Sequence, residues 1–182
     1  MGKPRLNAAV FFDRDGVLNQ VVMRGDVPAS PRTLDQFKLV DYAPEAVLRI
    51  RANGFLAIVA SNQPDLARGL LDPLEHRAML AALQASVPVD AVYICADDNH
   101  DESGNKKPNP GMLLEAAQAH GIDLERSFVV GDTWKDMAAA KAAGCRAVLI
   151  DYPYNQDVCG CTRVRSLELA VEFILKTSAS AG

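Results

Sequence analysis

The chain has 182 residues, 49% of them hydrophobic, and a formal net charge of −4, which suits one globular domain with a sizeable core. Its 19 lysines and arginines are scattered rather than gathered into a stripe, which argues against nucleic-acid binding and polybasic membrane attachment. No apolar run nears the ~18 residues of a membrane span, and the amino terminus has no long apolar signal core, so a cytoplasmic location is expected.

Short apolar runs alternate with longer stretches of helical spacing. The first, AAVFF (8–12), predicts a buried strand and runs directly into Asp13, Arg14, Asp15 and Gly16. A helix over 43–54 leads to a second strand, FLAIVAS (55–61), that ends on Ser61 and is followed by Asn62 and Gln63. A helix over 72–86 and a third strand, AVYICA (91–96), precede a loop carrying Lys106 and Lys107. Next come a helix over 109–121, the strand FVVGD (128–132) ending on Asp132, and a helix over 133–144 with Asp136 in its first turn. The strand AVLID (147–151) and a helix over 166–176 close the series. Glycines at 54, 121 and 144 stand where a left-handed residue would stop three of these helices. Repeated strand–helix–strand order predicts a doubly wound α/β domain, its sheet mostly parallel and covered on both faces. One domain is expected over 1–177, with a flexible tail over 178–182.

In such sheets ligands bind outside the carboxyl ends of the strands. Polar residues follow four of the apolar runs here: Asp13 and Asp15, Ser61 and Asn62, the lysine pair, and Asp132 with Asp136. Gly16 lets the chain turn, so that both early aspartates can reach one rim. Carboxylates this close repel unless a cation sits among them, and a hard divalent ion with oxygen ligands, Mg²⁺, answers that repulsion. One carboxylate could then attack phosphorus while the other handles a proton on the leaving oxygen. Ser61 and Lys107 are suited to hold phosphoryl oxygens. Lys106 could share that task or sit as a solvated charge, and Arg68 could grip a remote phosphate or face solvent. Asn19 and Arg24, in the flap-like LNQVVMRGDVP, are left undecided between substrate contact and surface. Trp134, His76 and His120 read as packing or surface residues.

These residues resemble the haloacid dehalogenase superfamily of phosphatases. FFDRDGVLN is similar to its first motif, VASNQPDLARG to its second, KKPNPGML to its lysine motif and VVGDTWKDMAAAKAAG to its acidic motif. The DRDGVLN, SNQxxxARG and KKPxPGM variants resemble the subgroup of D-glycero-D-manno-heptose 1,7-bisphosphate phosphatases and histidinol-phosphate phosphatases. The resemblance implies Asp13 as nucleophile, Asp15 as general acid/base, and Ser61 and Lys107 as phosphate binders. It also implies Mg²⁺ held by Asp13, the main-chain carbonyl of Asp15 and Asp132, with Asp136 in support. It implies no large cap domain, a small phosphorylated metabolite as substrate, and a heptose bisphosphate ahead of histidinol phosphate.

The subgroup often carries a zinc loop before the lysine motif, and here that pattern breaks. Cys95 remains, but Asp97, Ser103 and Asn105 stand at the other ligand positions. One thiol with a lone His100 does not supply four zinc ligands, so structural zinc is not expected. Cys159 and Cys161 have suitable mutual spacing, yet they follow the last predicted strand, at the far sheet edge from Cys95. Two other classes share the fold. A signalling receiver domain fits poorly, because the first motif is DxD with glycine and neither Ser61 nor the lysine motif has a receiver counterpart in that order. A non-catalytic phosphate-ligand-binding protein would differ by releasing no phosphate.

Overall fold

Each apolar run of the computed structural model, which describes residues 6–99 and 102–179, forms a strand of one sheet. Those strands are β1 (Ala8–Phe12), β4 (Phe55–Asn62), β5 (Ala91–Cys95), β6 (Phe128–Gly131) and β7 (Arg146–Ile150). A short β8 (Thr162–Val164) completes six strands in the order β5-β4-β1-β6-β7-β8, every neighbouring pair parallel. The helices are α1 (Ala43–Ala52), α2 (Pro73–Ser86), α3 (Gly111–His120), α4 (Trp134–Ala143) and α5 (Leu167–Ala179).

Strand alternation sends side chains to two faces, and both are covered. Val10, Phe12, Val59 and Val130 pack with Val47 and Ile50 of α1 and Val171 and Ile174 of α5. Ala9, Phe11, Ile58 and Val129 pack on the other side with Leu113 and Ala116 of α3 and Ala139 and Ala140 of α4. Strands buried on both faces read as continuous apolar runs, which is why AAVFF carries no polar residue. The expected glycines after α1, α3 and α4 have the left-handed backbone that ends a helix.

From β1 the chain builds outward to β4 and β5, then returns and builds the other way through β6, β7 and β8. The reversal places a crevice between the carboxyl ends of β1 and β6, the switch point at which open α/β sheets bind ligands. Three strands lay outside the sequence expectation: the antiparallel pair β2 (Val22–Arg24) and β3 (Val27–Ala29), and β8. The closing helix also runs on to Ala179, so the tail expected from 178 does not begin there; residues 180–182 lie outside the described residues.

Candidate active site at the strand switch point

Asp13 leaves β1 while its amide still donates to Val130 O of β6, 2.9 Å away. Its neighbour across the crevice is Asp132, the first residue after β6. Gly16 allows this approach. It adopts φ +81, and a Cβ there would fall 2.1 Å from Asp132 Oδ2, so a side chain is barred by both conformation and space. Asp136 arrives from the first turn of α4, where it caps the helix: its Oδ2 accepts from Thr133 N at 3.1 Å and Thr133 Oγ1 at 2.6 Å. One oxygen each of Asp13, Asp132 and Asp136 lie within 4.8 Å of one another.

One cation faces this acidic group from the loop after β5. Lys107 Nζ lies 2.6 Å from Asp136 Oδ1 and 3.1 Å from Asp13 Oδ1, and donates to Ala60 O at 2.7 Å. Burial pulls the Lys107 ammonium down, but Asp13 and Asp136 outweigh it and hold the group above its ordinary value. The loop that carries it is clamped to β4: Asn62 accepts from Lys107 N at 3.0 Å and donates to Lys107 O at 2.8 Å.

A single lysine in ion-pair contact does not balance three carboxyls, two of them buried and that of Asp13 largely so. Burial, reinforced by the charges of Asp136 and Asp15, pushes Asp13 to about 6. Burial, with the charges of Asp13 and Asp136, pushes Asp132 to about 8. Asp132 Oδ1 is moreover buried without a hydrogen-bond partner. Unmet negative charge on oxygen ligands, with one acceptor left open, fits a hard divalent cation.

Asp15 has the opposite surroundings. Its carboxylate accepts five hydrogen bonds: from Arg14 Nε and Nη2, each 3.0 Å, Asn19 Nδ2 at 2.8 Å, Ser30 Oγ at 2.7 Å and Gln63 Nε2 at 2.7 Å. Burial would raise its pKa, yet the Arg14 charge and these bonds outweigh that and lower it. Arg14 is fully buried, forks onto Asp15, donates to Gln63 Oε1 at 2.9 Å and lies over the Phe37 ring. Neither Arg14 nor Ser30 has a role in the sequence reading; an arginine between two aspartates was the one available hint.

A cavity of about 400 Å³ opens above these groups. Asp13, Asp15, Asn62, Lys106, Lys107 and Asp132 line it, as do Arg24, Arg32, Arg68 and Lys135. The β2–β3 hairpin forms one wall through Arg24, Val27, Pro28 and Ala29. Asn19 is buried on Asp15, and Arg24 reaches the cavity. Ser61 is buried at the end of β4, where its hydroxyl accepts from Gln63 Nε2 at 3.0 Å, and it is not among the lining residues. Arg68 and Lys106 share one carboxylate, that of Asp98, at 2.5 Å and 3.6 Å.

The broken zinc loop keeps its shape by hydrogen bonding. Cys95 Sγ lies 3.6 Å from Asp97 Oδ2 and 3.7 Å from Ser103 Oγ, and Ser103 Oγ donates to Asp97. His100 lies outside the described residues. Cys161 precedes β8 and Cys95 ends β5, at opposite edges of a six-stranded sheet. With about 4.8 Å between strands that separation exceeds roughly 20 Å, which rules out one shared metal. Trp134 is exposed and His76 buried, while His120 packs edge-on against Tyr93.

Tyr154 and Asn155, absent from the sequence reading, also belong to the site. Tyr154 Oη donates to Asp132 Oδ2 at 2.6 Å and Asn155 Nδ2 to Asp132 O at 2.7 Å. Nothing in YPYN signals this, because the contact depends on how the chain turns after β7.

Comparison with known proteins agrees with this architecture. Residues 19–144 match the haloacid dehalogenase-like hydrolase family. A D-glycero-D-manno-heptose-1,7-bisphosphate 7-phosphatase of Thermosynechococcus vestitus is 37% identical over 166 residues, 82% of each chain. The D-glycero-beta-D-manno-heptose-1,7-bisphosphate 7-phosphatase of Escherichia coli is 33% identical over 150 residues, 74% of each. A crystal structure of the D,D-heptose 1,7-bisphosphate phosphatase from B. bronchiseptica, complexed with magnesium and phosphate, superposes with a TM-score of 0.79 at 28% identity, covering 93% of this chain and 99% of that one. A family match over more than half the chain, with the acidic crevice at the sheet's switch point, establishes that this protein belongs to the haloacid dehalogenase-like hydrolases and is a phosphatase.

Proposed function

We propose that the protein is a Mg²⁺-dependent phosphatase of the cytoplasm that hydrolyses a heptose bisphosphate through a phosphoaspartate on Asp13. The observation that carries the chemistry is the convergence of Asp13, Asp132, Asp136 and Lys107 on one crevice. The substrate rests on the names of the relatives, which are heptose-1,7-bisphosphate phosphatases.

Asp13 and Asp132 would hold the cation, with Asp136 behind them, and the Asp15 main-chain carbonyl completing the protein ligands. When bound, Mg²⁺ neutralises charge on the phosphoryl oxygens. Asp13 attacks phosphorus, a new P–O bond forms to its carboxylate, and the bond to the sugar oxygen breaks. Asp15, which must first take up a proton against the five donors that hold it ionised, would give that proton to the leaving oxygen. Water then attacks the phosphoaspartate, Asp15 takes the water's proton, and phosphate and the free Asp13 carboxylate result. The five donors around Asp15 favour its ionised form, which is the form the second step uses as base. Lys107 offsets the repulsion between Asp13 and the incoming phosphate, while Ser61, buried off the cavity lining, accepts from the Gln63 amide that also donates to Asp15 and so helps to fix that carboxylate.

Arg68 and Lys106 would receive the second phosphate of a bisphosphate. Both line the cavity, and both already grip an anion, the Asp98 carboxylate. The hydrogen bonds of Cys95, Asp97 and Ser103 would let the loop dispense with zinc.

The test is phosphate release with Mg²⁺ over sugar bisphosphates, sugar monophosphates and histidinol phosphate. Release fastest from a heptose bisphosphate is expected. Preference for histidinol phosphate would overturn the substrate assignment, and release from none would favour a phosphate-binding protein without catalysis.

A further inference from the structure

Asp132 is gripped from the segment that follows β7. Tyr154 Oη holds Asp132 Oδ2, and Asn155 Nδ2 holds the Asp132 carbonyl while also donating to Ile150 O at 2.8 Å. The segment is itself fixed. The Tyr152 and Tyr154 rings stack at 5.0 Å between centroids and 9° between planes. Tyr152 N donates to Asn155 Oδ1 at 3.1 Å, and Arg163 donates to Asn155 O at 3.2 Å and Oδ1 at 3.1 Å. The Tyr154 hydroxyl is therefore a placed donor, not a rotor that finds a partner by chance.

The two oxygens of Asp132 are consequently unequal. Oδ2 is filled by Tyr154 and walled by Gly16, whose missing Cβ would sit 2.1 Å away. Oδ1 is buried and has no hydrogen-bond partner. A carboxylate in this state offers a cation one oxygen. Mg²⁺ is small and takes single oxygens in a near-octahedral shell, whereas Ca²⁺ is larger and accepts both oxygens of one carboxylate.

We propose that Tyr154 is a positioning residue that keeps Asp132 monodentate and thereby tilts the site toward Mg²⁺ over Ca²⁺. This rests on the metal reading above. Partners of this kind around metal-binding carboxylates change affinity by roughly 10–100-fold when removed. Loss of the hydroxyl frees Oδ2, so the penalty falls on Mg²⁺ and is partly recovered by Ca²⁺, which can use both oxygens.

Calorimetric titration of the metal-free full chain with MgCl₂ and, separately, CaCl₂ tests this on the wild type, Tyr154→Phe and Tyr152→Phe. Phenylalanine keeps the ring stack and removes only the hydroxyl, and unfolding followed by circular dichroism checks the fold of each variant. Asn155→Ser, which loosens the same turn without touching the Tyr154 hydroxyl, is a second route to the same effect. The expected result is a loss of Mg²⁺ affinity in Tyr154→Phe of about tenfold, with a narrowed Mg²⁺/Ca²⁺ ratio, a smaller shift of the same sign in Asn155→Ser, and both constants unchanged in Tyr152→Phe. Wild-type binding with both constants unchanged in Tyr154→Phe, or both reduced equally, would overturn the positioning role alone. No cation binding by the wild type would overturn the metal reading and this inference together.

Discussion

Asp13 and Asp132 face each other across the switch point with their carboxyls pushed up to about 6 and about 8, while Asp15, two residues from Asp13, is held down by Arg14. Environment, not residue type, separates their tasks. The raised values also bear on stability. A carboxyl at 3.8 when unfolded and about 8 when folded binds more protons in the folded state between those values, so the metal-free fold loses stability as pH rises through that window. The loss is absent below 3.8 and complete above about 8. Asp132→Asn, which cannot ionise, is expected to stabilise the metal-free protein by on the order of 2–5 kcal/mol above pH 8 and to leave it unchanged near pH 3. Urea unfolding at the two pH values measures this; equal stabilities at both would contradict the burial of that charge. Asp13, Asp132 and Lys107 were legible because each follows an apolar run, and strand ends are where such sheets bind. Tyr154, Asn155 and Ser30 were not, since each meets its aspartate only through a turn that no local pattern specifies.

The elements divide in the same way. The apolar runs gave every central strand within a residue or two, because a strand buried on both faces leaves a continuous apolar pattern. The two hairpin strands and β8 are three residues each, too short for alternation to register, so the wall that the hairpin provides over the cavity stayed invisible apart from a flap-like look to residues 18–28. The loop after β5 is the element that carries the substrate question. Asp98 occupies the cations, Arg68 and Lys106, assigned here to a second phosphate. Asp98→Asn removes a competing charge, so KM for a sugar bisphosphate is expected to fall about three- to tenfold, with a smaller change for the matching monophosphate, consistent with an exposed ion pair of about 1 kcal/mol. Steady-state kinetics on the two substrates decide it, and an equal change for both would remove Arg68 and Lys106 from second-phosphate binding.

At the scale of the whole molecule, the alternation of strands and helices predicts a doubly wound domain but not the strand order. The order β5-β4-β1-β6-β7-β8 is what brings the first and fourth motifs, more than a hundred residues apart, to adjacent strand ends. No second domain stands over the crevice among the described residues; the hairpin and the loop after β5 take that place. Among the described residues no helix is long and apolar enough to cross a membrane. The proposed mechanism makes Asp13, at the carboxyl end of β1, the nucleophile toward a phosphate ester. Phosphate release from D-glycero-D-manno-heptose 1,7-bisphosphate with Mg²⁺, measured side by side for the wild type and Asp13→Asn, tests it most directly. Turnover by the wild type and a loss of at least about 1,000-fold in the variant are expected; a variant that turns over at the wild-type rate would contradict the account.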